Sequence, residues 1–258
     1  MISKNQIKYV RQLEQKKYRK QEGLFIAEGH KVVGDLLQAG YTPKQLFATK
    51  EWLAQHPADP HFTEVTNDEL TRLSLQQHPQ QVLAIFPLPS SVISSASSVI
   101  SSAVEGSLNS LSIALDGVQD PGNLGTIIRI ADWFGISNII CSEDTVDAWN
   151  PKVVQATMGS IARVNIIYTS LPTLLDTLPA DYPVYGTLLD GENIYTQPLT
   201  KEGLIVMGNE GNGISEAVRQ RVNRRLLIPD FHDGDTADSL NVAIATAITC
   251  SEFRRRQI

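Results

Sequence analysis

From Leu111 onward, short, mainly apolar runs alternate with segments that carry an apolar stripe at helical spacing. The runs are LSIAL (111–115), NIIC (138–141), RVNII (163–167), VYGTLL (184–189), LIVMG (204–208) and RRLLIP (224–229). The helical segments cover 124–134, 151–158, 171–178, 215–221 and 240–254. A strand with one wet face alternates apolar and polar residues, so runs with consecutive apolar residues belong to strands covered on both sides, with the intervening helices as the cover. The pattern predicts an α/β fold with a parallel sheet over residues 110–258.

Ahead of this region, Ser90–Ala103 reads SSVISSASSVISSA, one heptapeptide written twice. A serine-rich tract buries little, which predicts a linker over 89–109. The apolar Val92, Ile93, Val99 and Ile100 leave a weak helix or an edge strand open. Residues 1–88 then form a small mixed α/β domain. Its pattern gives a basic amphipathic helix around 4–20, a strand at GLFIAEG (23–29), a helix over 31–38, a strand at QLFAT (45–49), a helix near 67–75 and a strand at QVLAIF (81–86).

The formal net charge is −6, which argues against a protein that coats a polyanion by bulk charge. The charge is uneven, however. Residues 1–31 carry eight Lys and Arg against three Glu, a balance of +5, and leave −11 on the rest. Arg219, Arg221, Arg224, Arg225, Arg254, Arg255 and Arg256 cluster late in the chain. Two basic patches on an acidic body fit contact with a nucleic acid at chosen places, and solvated helix faces are the alternative. Cys141 and Cys250 both sit in apolar runs and predict buried, inert thiols rather than a disulfide or zinc framework. No apolar run approaches the roughly 20 residues that cross a bilayer, and the start has no signal-peptide core. The expectation is a cytoplasmic protein with no membrane partner.

Ligands of parallel sheets bind beyond the carboxyl ends of the strands, and three loops fall there. The first, DPGNLGTIIRIADWFG (120–135), puts Arg129 away from the apolar stripe of Ile127, Ile130, Ala131 and Phe134, on an open helix face near the N-terminus. The helix dipole gives a cation no support at that end, so the placement suggests a ligand; a surface ion pair is the alternative. The second, LIVMGNEGNGIS (204–215), has glycines that let backbone N–H groups approach a ligand, and it holds Glu210, a carboxylate that needs a partner directly after a buried strand. The third, LLIPDFHDGDTADSLNVA (226–243), ends a strand at Pro229 and predicts Ser239 as the cap of a helix with Leu240 and Asn241 in its first turn. The acidic residues around His232 match no metal-binding spacing. The glycine spacings fit neither a Walker A loop nor a dinucleotide fingerprint, which sets aside a nicotinamide-dependent dehydrogenase.

Taken together and in order, NLGTIIRIA (123–131), MGNEGNGIS (207–215) and IP (228–229) followed by SLNVA (239–243) resemble the three motifs of the SpoU/TrmH-type RNA ribose 2′-O-methyltransferases of the SPOUT superfamily. KYRKQEGLFIAEGHKVV (17–33) resembles the substrate-binding domain that some members carry. The resemblance implies S-adenosylmethionine as cofactor, a deep trefoil knot in the C-terminal half, and a homodimer with the active site at its interface. It implies cofactor contacts at Leu188, Gly208, Asn209, Glu210, Gly211, Ile228, Leu240 and Asn241, with LLDG (188–191) beside them. It places Asn123, Arg129, Glu210, Ser239 and Asn241 around the reacting ribose. Lys16, Lys17, Arg19, Lys20 and Lys31 are the expected RNA contacts of the N-terminal domain, joined by Arg129 as a phosphate clamp. Ribosomal RNA is the favoured substrate over transfer RNA. The third loop departs from the family in being longer and more acidic, and it continues Val242–Ala243 where members often have Val–Ser. That departure leaves open a catalytically silent RNA-binding or ribosome-assembly protein on the same fold.

Overall fold

The computed structural model describes residues 2–56, 62–89, 109–232 and 238–257. The serine-rich repeat and the acidic stretch 233–237 lie outside the described residues. The chain divides into two compact units, one holding the N-terminal part together with Asp147–Arg163, the other holding the remainder.

The first unit is built on a four-stranded mixed sheet of order β1-β4-β2-β3, with β1 Leu24–Glu28, β2 Gln45–Ala48, β3 Phe62–Glu64 and β4 Val82–Pro87. β4 pairs antiparallel to β1 and β2, and β3 adds parallel to β2. Helices α1 (Lys4–Gln12), α2 (Lys16–Glu22), α3 (His30–Gln38), α4 (Lys50–Leu53) and α5 (Asn67–Leu73) accompany it. Successive strand residues face opposite sides. Leu24 and Ile26 therefore join Val10, Leu13, Leu70 and Leu73 beneath α1 and α5. Phe25, on the other side of β1, meets Trp149 with ring centroids 4.6 Å apart.

Two expectations change here. The helix expected over residues 4–20 is broken between Gln12 and Lys16. Arg19 turns inward at the break and is only 2% exposed. Its Nη1 donates to the carbonyls of Leu13 (2.9 Å) and Glu14 (2.6 Å), freed where α1 ends, and its Nη2 donates to Asp147 at 2.5 Å. Arg19 is thus a structural residue, not an RNA contact. Second, Asp147–Arg163, read as part of the second domain, belongs to the first unit. β1 is apolar on both faces, and helix α7 (Pro151–Ala156) and Trp149 supply the missing cover. The segment is also fastened near its other end, where Arg163 Nη1 donates to Asp35 Oδ2 at 2.9 Å.

The second unit holds a six-stranded, fully parallel sheet of order β10-β8-β9-β5-β6-β7, as the apolar runs predict. The strands are β5 Leu111–Leu115, β6 Asn138–Cys141, β7 Asn165–Tyr168, β8 Val184–Asn193, β9 Gly203–Met207 and β10 Arg224–Leu227. α8 (Leu171–Leu175) and α9 (Glu216–Arg219) cover one face through Ala114, Val184, Leu204 and Val206. α6 (Pro121–Trp133) and α10 (Val242–Arg255) pack together, and α10 reaches the other face through Phe253 against Tyr185, centroids 4.9 Å apart. Arg254 fastens the pair, donating to the carbonyls of Phe134 (2.7 Å) and Gly135 (3.0 Å). Gly135, at φ +63°, ends α6 as its position after the last apolar residue predicts. Cys141 and Cys250 are buried and unpaired, and burial pushes the Cys250 thiol up to about 12. Among the described residues no helix is long and apolar enough to cross a membrane.

Removing one partner of a buried ion pair leaves the other charge uncompensated. Arg19→Ala is expected to lower unfolding free energy by about 3 kcal/mol in urea titration. Lys16→Ala, on the exposed side of the same helix, is expected to stay within about 0.5 kcal/mol. Equal effects of the two would return Arg19 to the surface.

Candidate functional site

The sheet order contains a switch point. From β5 the chain winds outward through β6 and β7, and β8, β9 and β10 then lie on β5's other side. The loops leaving β5 and β9 emerge side by side at this point, where ligands of such sheets bind.

The β5 and β9 loops are tied to each other by hydrogen bonds. Asp116, buried after β5, accepts the Ser215 amide at 2.7 Å. Gly117, at φ +73°, takes the Asn209 Nδ2–H on its carbonyl at 2.6 Å and donates its own amide to Ser142 Oγ at 2.8 Å. Gly208 tolerates no side chain, because a Cβ would stand 2.3 Å from the Gly213 carbonyl carbon. The next turn closes on Asn209. Its backbone exchanges two hydrogen bonds with Gly213, and its Oδ1 accepts the amides of Gly211 (2.8 Å) and Asn212 (3.0 Å). These amides are therefore spent inside the loop rather than offered to a ligand, and Asn209 organises the turn.

Asn123 links all three expected loops. It stands in the first turn of α6, where Asp120 caps its amide at 2.8 Å. Its Nδ2 donates to Glu210 Oε1 at 2.9 Å, and its Oδ1 accepts from Asn241 Nδ2 at 2.9 Å. Asn241, not Ser239, is the N-cap of α10, with its Oδ1 accepting the Ala243 and Ile244 amides. The helix starts two residues later than the sequence suggests because the Asn carbonyl reaches two amides. Leu240 and Asn241 therefore precede the first turn instead of lying in it.

A cavity of about 540 Å³ opens at this rim. Leu188, Leu226, Ile228, Leu240 and Val242 give it apolar walls, while Asn209, Glu210, Gly211 and Ser239 line its polar part. Every expected cofactor contact except Asn241 lines it; Asn241 stands beside it through Asn123. The wall at Leu188 is shaped by an excursion of β8. Its pairing with β10 jumps from Gly186 opposite Arg225 to Glu192 opposite Leu226. Gly191 makes the return possible, since a Cβ there would sit 2.5 Å from the Leu226 backbone. The amides of Gly208, Ile228 and Leu240 form no hydrogen bond among the described residues. Apolar walls with a few unmet donors suit a flat heterocycle carrying acceptors.

Arg129 is not brought to this cavity. α6 begins at Pro121, earlier than expected, so Arg129 lies in its third turn, beyond the first turn in which the helix dipole acts. It is exposed and makes no hydrogen bond or ion pair among the described residues. Six residues beyond Asn123, it projects about 120° around the helix from it. Lys16, Lys17 and Lys20 are exposed on the first unit, and Lys31 is exposed but paired with Asp35 at 2.8 Å. Most of the late arginines serve the fold: Arg221 holds Asp176 through two nitrogens, and Arg255 and Arg256 both hold Glu252, keeping its carboxyl below the usual range. Asp190 and Arg219 line the cavity unforeseen, the first flagged only by its place in LLDG and the second counted merely as surface charge.

Residues 110–251 match the SpoU rRNA Methylase family, and residues 4–84 match the MRM3-like substrate binding domain. The chain is 30% identical to the 23S rRNA (guanosine(2553)-2′-O)-methyltransferase RlmP of Bacillus subtilis, over 98% of this chain and 97% of that one. Among solved structures it is similar to a TrmH-family protein from Porphyromonas gingivalis, at 40% identity and TM-score 0.85, covering 99% of both chains. It is also similar to an AdoMet-bound rRNA methyltransferase from Sinorhizobium meliloti, at 31% identity and TM-score 0.82, covering 100% of this chain and 97% of that one. With the three motif loops joined through Asn123 at one cavity and these likenesses spanning both units, the chain belongs to the SpoU methylase family.

Proposed function

We propose that this protein transfers a methyl group from S-adenosylmethionine to a ribose 2′-hydroxyl of ribosomal RNA. The observation that carries the reading is the bridge Asn241–Asn123–Glu210, which sets a carboxylate and two amides at the mouth of a cavity fit for a nucleoside. Its volume falls within the roughly 300–1,000 Å³ usual for small-molecule sites. The apolar residues Leu188, Ile228 and Leu240, with the unmet amides beside them, would hold the cofactor. When bound it supplies a methyl group activated by a positive sulfur. Ribosomal RNA is favoured over transfer RNA because the Bacillus subtilis and Sinorhizobium meliloti relatives, both matched along nearly the full chain, are named as rRNA methyltransferases. Action in the cytoplasm belongs to the same proposal, in keeping with the bacterial relative matched along the chain.

The chain's own part is positioning, which governs the rate of an in-line displacement. Asn123 fixes Glu210 through Oε1 and leaves Oε2 to accept from a sugar hydroxyl. Arg129 would clamp the adjacent phosphate. Because Arg129 lies outside its own cavity, the arrangement favours a homodimer that shares residues between sites. Trp133 and Ile244, 86% and 53% exposed on the packed helices α6 and α10, fit a covered apolar face. The family's deep knot belongs to the same proposal, since segments near 188, 208, 228 and 240 must converge on one cavity. RNA docking falls to Lys16, Lys17, Lys20 and Lys31 on the first unit.

The direct test is transfer of labelled methyl to ribosomal RNA by the purified protein, with 2′-O-methyl sites mapped in cells with and without it. No transfer, together with no cofactor binding, would favour the silent relative. Arg129→Lys keeps the charge and loses the planar fork, so transfer should fall about tenfold or more at unchanged cofactor affinity. Asn241→Asp should keep the α10 cap, and with it the unfolding free energy, yet slow transfer because the donor to Asn123 is gone. Asn241→Ala should also cost about 1 kcal/mol of stability. Replacing Lys16, Lys17 and Lys20 with Gln should flatten the salt dependence of RNA binding by about 0.7–0.9 in log–log slope for each phosphate no longer neutralised. An unchanged slope would reject the docking role.

A further inference from the structure

Among the described residues lining the cavity, Arg219 is the one cation. It stands at the end of α9, and its Nη2 donates to Asp190 Oδ2 at 2.5 Å. Arg225, from β10, donates to the same oxygen from behind at 3.1 Å, out of a neighbouring cavity that Asp190 also lines. One carboxylate between two guanidiniums leaves a net positive charge. The bonding also leaves specific atoms unused. Asp190 Oδ1 accepts nothing among the described residues, and Arg219 Nε and Nη1 donate to nothing. A free carboxylate oxygen beside free guanidinium N–H groups is complementary to a group that carries both charges, an α-amino acid zwitterion.

We infer that Arg219 and Asp190 hold the amino-acid end of the cofactor, with its α-carboxylate on Arg219 and its α-ammonium on Asp190. The inference rests on the cofactor reading above. It assigns the polar end of the cavity and leaves the apolar walls at Leu188, Ile228 and Leu240 to the nucleoside. Arg225 acts through Asp190: it fixes the carboxylate and shares its charge, so that Arg219 keeps donors for the ligand. The β8 excursion makes this possible, because Gly191 brings Asp190 against β10 within reach of both arginines.

Calorimetry on the full-length protein separates the two ends of the ligand. S-adenosylmethionine and S-adenosylhomocysteine carry the amino-acid tail, whereas 5′-methylthioadenosine has the same nucleoside without it. The wild type should bind the two tailed ligands more tightly. Arg219→Gln and Asp190→Asn should each weaken both tailed ligands about tenfold or more, the scale of one missing charge-assisted hydrogen bond, and leave methylthioadenosine within about twofold. Arg219→Lys should recover part of the loss. The retained methylthioadenosine binding reports that the cavity is still folded. Parallel weakening of all three ligands in both variants, or unchanged affinity for S-adenosylmethionine in either, overturns the assignment. A wild type that binds none of the three removes the cofactor reading itself, and this inference with it.

Discussion

The site depends on one side chain with two hydrogen-bonding ends. Asn123 reaches Glu210, 87 residues away, with its amide nitrogen, and Asn241, 118 residues away, with its oxygen. Each such bond contributes only about 1 kcal/mol net, far less than is needed to order three loops. The bridge therefore works because the backbones are already in place. Asp120 fixes the first turn of α6, and Asn241 is held as the cap of α10. Arg254 locks the two helices together through the carbonyls at the end of α6. The polar network then selects among side-chain arrangements and points Glu210 at the cavity mouth.

Two close backbone approaches set the cavity's shape, and both require glycine. At Gly208 the chain passes so near Gly213 and Ile214 that the β9 loop doubles back at once, which lets Asn209 close the turn with its own side chain. At Gly191 the return of β8 presses on the backbone of Leu226 and pushes Leu188–Asp190 outward as a wall. The first approach spends amides that a glycine-rich loop would otherwise offer to a ligand. On the proposed reading, donors for the ligand would come from the amides left unmet at the cavity, those of Gly208, Ile228 and Leu240.

What could be read in the sequence follows from how local each cause is. Strands β5, β6 and β9 were legible because burial on both faces writes itself into consecutive residues, and β7, β8 and β10 through the shorter apolar stretches that they bury. The meeting of the three loops was legible through a family likeness, since no periodicity reports contacts between Asn123, Glu210 and Asn241. Other features depend on distant partners. Arg19 looked like its neighbours Lys16, Lys17 and Lys20 until the break after α1 turned it toward Asp147. Ser239 looked like the cap, and Asn241 takes that place because its side-chain carbonyl reaches the Ala243 and Ile244 amides. The pairing of Asp190 with Arg219 and Arg225 needed the β8 excursion, which leaves no mark in the sequence beyond a glycine.

The membership of Asp147–Arg163 in the first unit bears on how binding and chemistry are divided. The segment is held at both ends, by Arg19 on Asp147 and Asp35 on Arg163, and Trp149 fills the face of β1 against Phe25. Gly159 adds a constraint, because its φ of +96° and the 2.4 Å gap between a Cβ there and Asp35 leave room for no other residue. The segment continues into the second unit through Val146, whose amide donates to Val118 at 2.9 Å, next to the Gly117 that holds Asn209. Cutting away residues 1–88 would strip Asp147 and Trp149 of their partners and strand an apolar helix in water. A truncated protein with weak RNA binding would then report a damaged fold as much as a missing docking surface. Substitution of exposed lysines on α2 leaves the Arg19–Asp147 pair intact, and for that reason it isolates the electrostatic contribution that truncation confounds.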